Sequence, residues 1–148
     1  MDPEKQKILL ADEDENLQEI YSKALIDEGF EVLHATDGED ALEKIKENYE
    51  NLDLVLLDVV MPKMDGFDVL EKIRGAWGGY KKIPIVMLTS LSDPEDIQMA
   101  KELGADRFFV KPENNPSDLV REIEKFLDEI HQSPERNYSV LYHAPSKK

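Results

Sequence analysis

Three carboxylates follow two short hydrophobic segments of the chain at the points where those segments end. Asp58 ends the continuous apolar run of residues 54–57, which has the pattern of a strand buried on both faces. Asp12 and Glu13 follow segment 7–11 in the same way. A carboxylate is costly inside such a sheet unless it is paired or bound to a metal, so all three are expected at strand ends. If the two strands are neighbours, about 4.8 Å apart, these carboxylates converge.

Converging carboxylates predict a bound cation. Like charges this close repel, and some would stay protonated unless a cation joined them. Mg²⁺, a hard cation that takes oxygen ligands and keeps several waters, is the best fit. Thr89 and Lys111 end two further apolar segments, at 83–88 and 107–110. A carboxylate, a metal, a hydroxyl and an ammonium together suit a phosphoryl group, whose transfer is catalysed mainly by positioning and charge neutralisation.

The elements that must position these side chains alternate along the chain. Strands are predicted at 7–11, 30–35, 53–57, 83–88 and 107–110. Apolar residues at helical spacing predict helices over 16–28, from 38, from 67, from 94 to 103 and over 117–131. Five strand–helix repeats predict an α/β fold, a doubly wound parallel sheet with right-handed crossovers. The strand order 2-1-3-4-5 makes strands 1 and 3 neighbours where the order reverses, which is where such sheets bind ligands.

Composition narrows the class of protein. The net charge of −15 disfavours direct nucleic-acid binding, which relies on Lys and Arg, and favours basic protein surfaces and divalent cations as partners. The chain has no Cys, and no apolar run approaches the length of a membrane helix. We expect a cytoplasmic protein with one domain over residues 1–131, and a tail over 132–148 that forms no separate domain.

Each feature also has a simpler interpretation. An acidic triplet after a strand often caps a helix, a Thr there often belongs to a turn, and a Lys-Pro pair often lies in a loop. The coincidence of all of them at four strand ends of one predicted sheet favours a functional site. A haloacid-dehalogenase-type phosphatase needs a second Asp two residues beyond the first, and that position is Val60. A nucleotide-binding switch needs a glycine-rich phosphate loop, which the sequence does not contain.

Residues from about 5 to 131 resemble the receiver domain of two-component response regulators, with a flavodoxin-like fold. The matching segments are ILLADED (8–14), LVLLDVVMPKMDG (54–66), IPIVMLTS (83–90) and GADRFFVKP (104–112). The resemblance implies a signalling protein and not an enzyme, beyond self-phosphorylation from phosphodonors and slow self-dephosphorylation. Its phosphodonor partner would be a sensor histidine kinase or a histidine phosphotransfer protein.

The resemblance also assigns roles to residues of the site. Asp58 would be the phosphoacceptor, and Lys111 would pair with the phosphoryl oxygens. Asp58 and Glu13 would ligate Mg²⁺ with the backbone carbonyl of Val60, while Asp12 would act through a metal-bound water. Glu13 stands where the family more often has Asp, so its ligation is either direct or through water.

Further expectations concern switching and output. Thr89 would move to bind the phosphoryl group, and Phe108 matches the family's switch aromatic, which turns inward with it. The output would be a downstream protein bound to the face of helix 4, strand 5 and helix 5, by a monomer or a phosphorylation-dependent dimer. The Lys111–Pro112 bond is expected to be cis. Val60 and Leu91, apolar where rapidly hydrolysing relatives tend to be polar, predict a long-lived phosphorylated state.

Two questions stay open at the level of sequence. One alternative is a pseudo-receiver, an interaction module that keeps the fold and acts without phosphorylation. The other question is context, because a stand-alone receiver, a phosphorelay intermediate and a piece of a longer regulator or hybrid kinase would share this sequence pattern.

Overall fold

A computed structural model of the protein describes residues 5–76, 83–90, 93–111 and 115–132. Its strands are β1 (Lys7–Ala11), β2 (Glu31–Ala35), β3 (Leu54–Asp58), β4 (Ile85–Thr89) and β5 (Arg107–Val110). They form one parallel sheet in the order β2-β1-β3-β4-β5, so the predicted doubly wound architecture is confirmed. The helices are α1 (Glu15–Asp27), α2 (Gly38–Asn48), α3 (Gly66–Glu71), α4 (Pro94–Leu103) and α5 (Pro116–Gln132).

Most strand and helix ends lie within one residue of the predicted ones, and two differences are larger. β4 begins at Ile85 rather than at 83, because Pro84 has no N–H to give to the sheet. Helix α3 is short and continues as a π-helical turn over Lys72–Ala76, which a regular helical pattern does not predict. In the described part of the chain, no helix combines the length and the apolar character that crossing a membrane requires. Of the tail at 132–148, the structure describes Gln132, the last residue of α5.

The sheet separates two hydrophobic layers, because successive side chains of each strand point to opposite faces. The face that carries α1 and α5 buries Ile8, Leu10, Leu54, Leu56, Val86 and Leu88 of the strands. The opposite face, with α2, α3 and α4, buries Leu9, Val55, Leu57, Ile85, Met87 and Phe108. Burial on both faces explains why β3 and β4 are continuous apolar runs. It also leaves the carboxyl ends of the strands as the natural place for polar side chains.

Aspartates cap the helices that follow β1, β2 and β3. Asp14 accepts hydrogen bonds from two backbone N–H groups of the first turn of α1, and Asp37 and Asp65 cap α2 and α3 in the same way. Such caps stabilise a helix by about 1 kcal/mol each. They also fix where the chain leaves β1 and β3, so they position the residues at the strand ends.

Two glycines let the loop after β3 pack tightly. A Cβ atom on Gly66 would lie 2.2 Å from the backbone oxygen of Asp58, and one on Gly38 would lie 1.8 Å from the backbone oxygen of Met64. Lys63, in the same loop, has a left-handed backbone with φ of 70°. The loop is therefore held against both the end of β3 and the start of α2.

Candidate functional site

Asp12 and Asp58 lie side by side at the carboxyl ends of β1 and β3. The parallel register pairs Ala11 with Leu57, so the next residue on each strand is one of the two aspartates. Asp12 is fully buried and Asp58 is 4% exposed. Two carboxylates that share a buried edge repel each other, which is costly unless a cation lies between them.

Lys111 supplies that cation. Its Nζ atom lies 2.8 Å from Asp12 Oδ2 and 3.2 Å from Asp58 Oδ2, and its side chain is 11% exposed. The backbone N–H of Lys111 donates to the carbonyl oxygen of Thr89 at 2.6 Å, which holds the chain beyond β5 against the end of β4. We call Asp12, Asp58 and Lys111 the acid–lysine site.

The electrostatics of the site follow from burial and from the charges of its three residues. Burial and then the charge of Asp12 raise the pKa of Asp58 to about 6, against the opposing effects of Lys111 and of the Val60 N–H. Burial alone would lower the pKa of Lys111, but its hydrogen bond to Asp12 and the charges of both aspartates outweigh burial and raise it. Lys111 therefore stays charged beside the two carboxyl groups.

Asp12 Oδ2 has one charged contact. It lies 2.8 Å from Lys111 Nζ, and no other described residue donates a hydrogen bond to it. The other oxygen, Oδ1, accepts from the backbone N–H of Asp14 at 2.9 Å. A buried carboxylate oxygen with spare acceptor capacity, beside a second carboxylate, fits a hard cation that retains waters.

Glu13 does not join the two aspartates. Its side chain is exposed, and the described residues hold no group of three or more His, Cys, Asp or Glu side chains arranged to bind a metal. Side chains alternate between the two faces of the sheet, which explains the difference. Asp12 lies on the same face as Leu10, and Glu13 points the other way. Val60, the other predicted contributor, donates its N–H to Asp58 Oδ1 at 3.4 Å, and its side chain is 49% exposed.

Thr89 and Phe108 lie on the other face of the sheet. Thr89, the last residue of β4, is 1% exposed and is paired in register with Val110. Phe108 pairs with Met87 and is 7% exposed, so the predicted switch aromatic already points into the layer below α4. Leu91 and Pro112 lie outside the described residues, and so does the geometry of the Lys111–Pro112 bond.

Two polar residues near the strands were not singled out from the sequence. Gln18 of α1 is buried, and its amide donates to the carbonyl oxygens of Asp12 and Ala35, which ties α1 to the ends of β1 and β2. Asp106 is fully buried at the start of β5, where it accepts from the Ile85 N–H at 2.9 Å and from Arg74 at 3.2 Å. The sequence contains one signal for Gln18, which is its position as a polar residue on the apolar face of the predicted helix.

A separate surface groove lies away from the acid–lysine site. It has a volume of about 490 Å³ and lies between the start of β2 and the end of α5, lined by charged residues that include Lys5, Glu28 and Glu124. This groove lies at the amino ends of the strands, whereas the acid–lysine site lies at their carboxyl ends. It holds no buried charged group comparable to Asp58 or Lys111.

Comparison with known families and structures agrees with this geometry. Residues 8–124 match the family model described as the response regulator receiver domain. Curated relatives include a probable transcriptional regulator ycf27 of Porphyridium aerugineum, 37% identical over 90% of this chain and 53% of the relative. The transcriptional regulatory protein CpxR of Escherichia coli is 38% identical over 88% of this chain and 53% of the relative. The chain thus spans about half the length of the curated relatives it matches.

Solved structures give the same answer for the fold. The chemotaxis protein CheY4 of Vibrio cholerae is 35% identical, with a TM-score of 0.74 over 82% of this chain and 98% of that one. A CheX–CheY–BeF3–Mg complex from Borrelia burgdorferi contains a chain 29% identical, with a TM-score of 0.74 over 82% of this chain and 88% of that one. The family model and the sheet order agree, and the chain belongs to the response regulator receiver domain family of two-component signalling.

Proposed function

We propose that Asp58 is the phosphoacceptor of this receiver domain. It would take a phosphoryl group from the phosphohistidine of a sensor histidine kinase or of a histidine phosphotransfer protein. The observation that carries the proposal is the contact of Lys111 Nζ with both buried aspartates. This contact places an ammonium beside Asp58, the carboxylate at the end of the central strand β3. Negative charge accumulates there during phosphoryl transfer.

The reaction follows from the protonation state of Asp58. With a pKa of about 6 the carboxylate is largely ionised at neutral pH, and it is more basic than an ordinary aspartate. A carboxylate oxygen attacks the phosphorus, the bond from phosphorus to the histidine nitrogen breaks, and the nitrogen keeps that electron pair. Lys111 stabilises the charge on the phosphoryl oxygens. Its attraction to them replaces part of its attraction to Asp12 and Asp58.

The acid–lysine site also fits Mg²⁺. Asp58 would hold the ion together with the Val60 backbone carbonyl, and Asp12 would act through a metal-bound water. The exposed Glu13 would approach from the solvent side, directly or through water. When bound, the ion supplies positive charge that neutralises the phosphoryl oxygens. The two carboxyl groups of the site and the net charge of −15 both favour cation binding.

We further propose that phosphorylation changes a protein-binding face formed by α4, β5 and α5, through Thr89 and Phe108. Both residues lie on the α4 side of the sheet, next to the strand ends that carry the site. The output would be a protein contact, in keeping with the acidic surface. The relatives named as transcriptional regulators are about twice as long as the matched region, so a linked segment is one way to transmit the change.

Intact-mass spectrometry after incubation with acetyl phosphate tests the proposal. The wild-type protein should gain the mass of one phosphoryl group in Mg²⁺ and far less in EDTA. Asp58→Asn should gain none, while the matched control Asp27→Asn, at an exposed position of α1, should behave as wild type. Unchanged phosphate uptake by Asp58→Asn would refute the assignment.

The pseudo-receiver alternative rests on one observation, the exposure of Glu13, which leaves two carboxylates rather than three at the site. It predicts no phosphate uptake by the wild type at any Mg²⁺ concentration. Replacing Glu13 by Asp, the commoner residue, offers a control. Uptake that appears only in Glu13→Asp would favour the pseudo-receiver.

A further inference from the structure

Tyr21 of α1 is a buried tyrosine whose hydroxyl has no hydrogen-bond partner among the described residues. The residue is 2% exposed and packs in the layer between the sheet and helices α1 and α5. Buried tyrosine hydroxyls usually find a partner, because leaving one unpaired is unfavourable. The described part of the structure therefore provides no partner for this buried polar group.

The hydroxyl belongs to the same side of the sheet as the acid–lysine site. Side chains alternate along a strand, so Asp58 shares the face of Leu56, which packs in the same layer as Tyr21. Lys111 likewise continues the face of Phe109, which packs against that layer. The ammonium and both carboxylates therefore lie on the side of the sheet that α1 covers.

Helix α1 is fixed to the site one turn before Tyr21. The amide of Gln18 donates to the carbonyl oxygen of Asp12 at 2.8 Å and also to that of Ala35. Residues three apart on a helix lie on one face, so Tyr21 follows Gln18 along the face that is held against the strand ends. The two Gln18 hydrogen bonds hold the turn of α1 that precedes Tyr21 against the ends of β1 and β2.

The charges that act on the Tyr21 hydroxyl are those of the site. Burial raises the pKa of Tyr21, Lys111 opposes this effect most strongly among the charges, and Asp12, Asp14 and Asp58 reinforce it. The hydroxyl therefore stays protonated at neutral pH, and its oxygen remains able to accept a hydrogen bond.

Lys111 has a donor available for that oxygen. An ammonium carries three N–H groups, and two carboxylate oxygens lie within 2.8 and 3.2 Å of Lys111 Nζ. We propose that Tyr21 is a positioning residue for Lys111, whose ammonium donates a hydrogen bond to the Tyr21 hydroxyl when it turns from Asp12 towards a phosphoryl group on Asp58. A neutral acceptor steadies the ammonium there without competing for it as a third carboxylate would. This inference rests on the proposed phosphoacceptor function.

Beryllofluoride, a stable mimic of the phosphoryl group, gives the test, with Mg²⁺ present. Tyr21→Phe keeps the ring and removes the hydroxyl, and Tyr49→Phe, at the residue that follows the end of α2, is the control. We expect beryllofluoride to bind about tenfold more weakly to Tyr21→Phe, the effect of one hydrogen bond to a charged group, and equally to Tyr49→Phe and wild type. The thermal midpoint of unliganded Tyr21→Phe should equal or exceed that of wild type, because no hydrogen bond to a described residue is lost.

A spectroscopic readout separates positioning from packing. In protein labelled at tyrosine Cζ, the Tyr21 carbon resonance should shift when beryllofluoride and Mg²⁺ are added, and the Tyr49 resonance should not. Equal beryllofluoride affinity of Tyr21→Phe and wild type would overturn the inference alone. Failure of wild type to bind beryllofluoride would overturn the proposed function as well. If Tyr21→Phe does not fold, the wild-type titration decides, because a Tyr21 resonance that does not move overturns the inference.

Discussion

Neutralising Asp58 should stabilise the metal-free protein at neutral and alkaline pH. Burial first, and then the charge of Asp12, raise the pKa of Asp58 to about 6, whereas an unfolded aspartate titrates near 3.9. A group with a raised folded-state pKa stabilises the fold fully below its unfolded pKa, and this stability is lost as the pH rises through the folded pKa. Here the stability contributed by protonated Asp58 is present below about pH 4 and is lost by about pH 7.

The size of the effect follows from the same two pKa values. Each pKa unit corresponds to about 1.4 kcal/mol, so ionised Asp58 destabilises the fold by about 3 kcal/mol above its folded pKa. Asn has the shape of a protonated Asp, and Lys111 keeps Asp12 as a partner in the variant. We therefore expect Asp58→Asn to raise the free energy of unfolding by about 1 to 3 kcal/mol at pH 8 and to change it little at pH 4.

Urea unfolding followed by circular dichroism, in EDTA and at several pH values from 4 to 8, measures the difference. Glu43→Gln removes one charge from the exposed surface of α2 and serves as the control, with an expected change within about 0.5 kcal/mol at every pH. Saturating Mg²⁺ should stabilise wild type more than Asp58→Asn. A variant less stable than wild type at pH 8, or a gain that persists at pH 4, would show that burial and Asp12 do not destabilise the ionised form.

Three further predictions test the frame around the site. Gly66→Ala should destabilise the fold by about 3 kcal/mol or more, since its Cβ would lie 2.2 Å from the Asp58 backbone oxygen. The control is Gly75→Ala, whose Cβ would meet nothing within 4 Å. Equal urea midpoints of the two variants would contradict the close packing of Gly66 against β3. Asp106→Ala should lower the free energy of unfolding, measured in urea, by about 3 to 5 kcal/mol, because it removes the buried carboxylate that pairs with Arg74 and accepts from the Ile85 N–H. Val60→Asn should shorten the half-life of the phosphorylated protein several-fold, as a polar side chain can orient water there, and an unchanged half-life would argue against this position.

The fold was predictable from the sequence because the residue pattern of each strand indicates how that strand is buried. The apolar runs that end at Asp58 and Thr89 are typical of strands buried on both faces, and the alternation with helices leaves few topologies. The convergence of Asp12 with Asp58 followed from the strand order alone, and the register confirms it. Lys111 was expected near Asp58, and the structure adds that it contacts both aspartates.

The rest of the site depends on which way a side chain leaves the strand end, and the sequence pattern does not report that. Asp12 and Glu13 are adjacent acids that look equivalent in the sequence, but one is fully buried and the other is exposed. Tyr21 and Gln18 fit the apolar face of α1 by spacing, and only the fold shows that this face ends against the acid–lysine site. Helical periodicity identifies a buried face without identifying its neighbours.

The residues of the proposed switch lie on both faces of the sheet. The acid–lysine site faces α1 and α5, whereas Thr89 and Phe108 face α4. The backbone hydrogen bond from Lys111 N–H to the Thr89 carbonyl oxygen, at 2.6 Å, joins the two sets of residues at the ends of neighbouring strands. In the proposed switch, a shift of Lys111 towards a phosphoryl group would therefore act on the end of β4 as well as on the ammonium. Because the layer below α4 is closely packed around Phe108, a small displacement there favours a change between discrete arrangements over a continuous deformation.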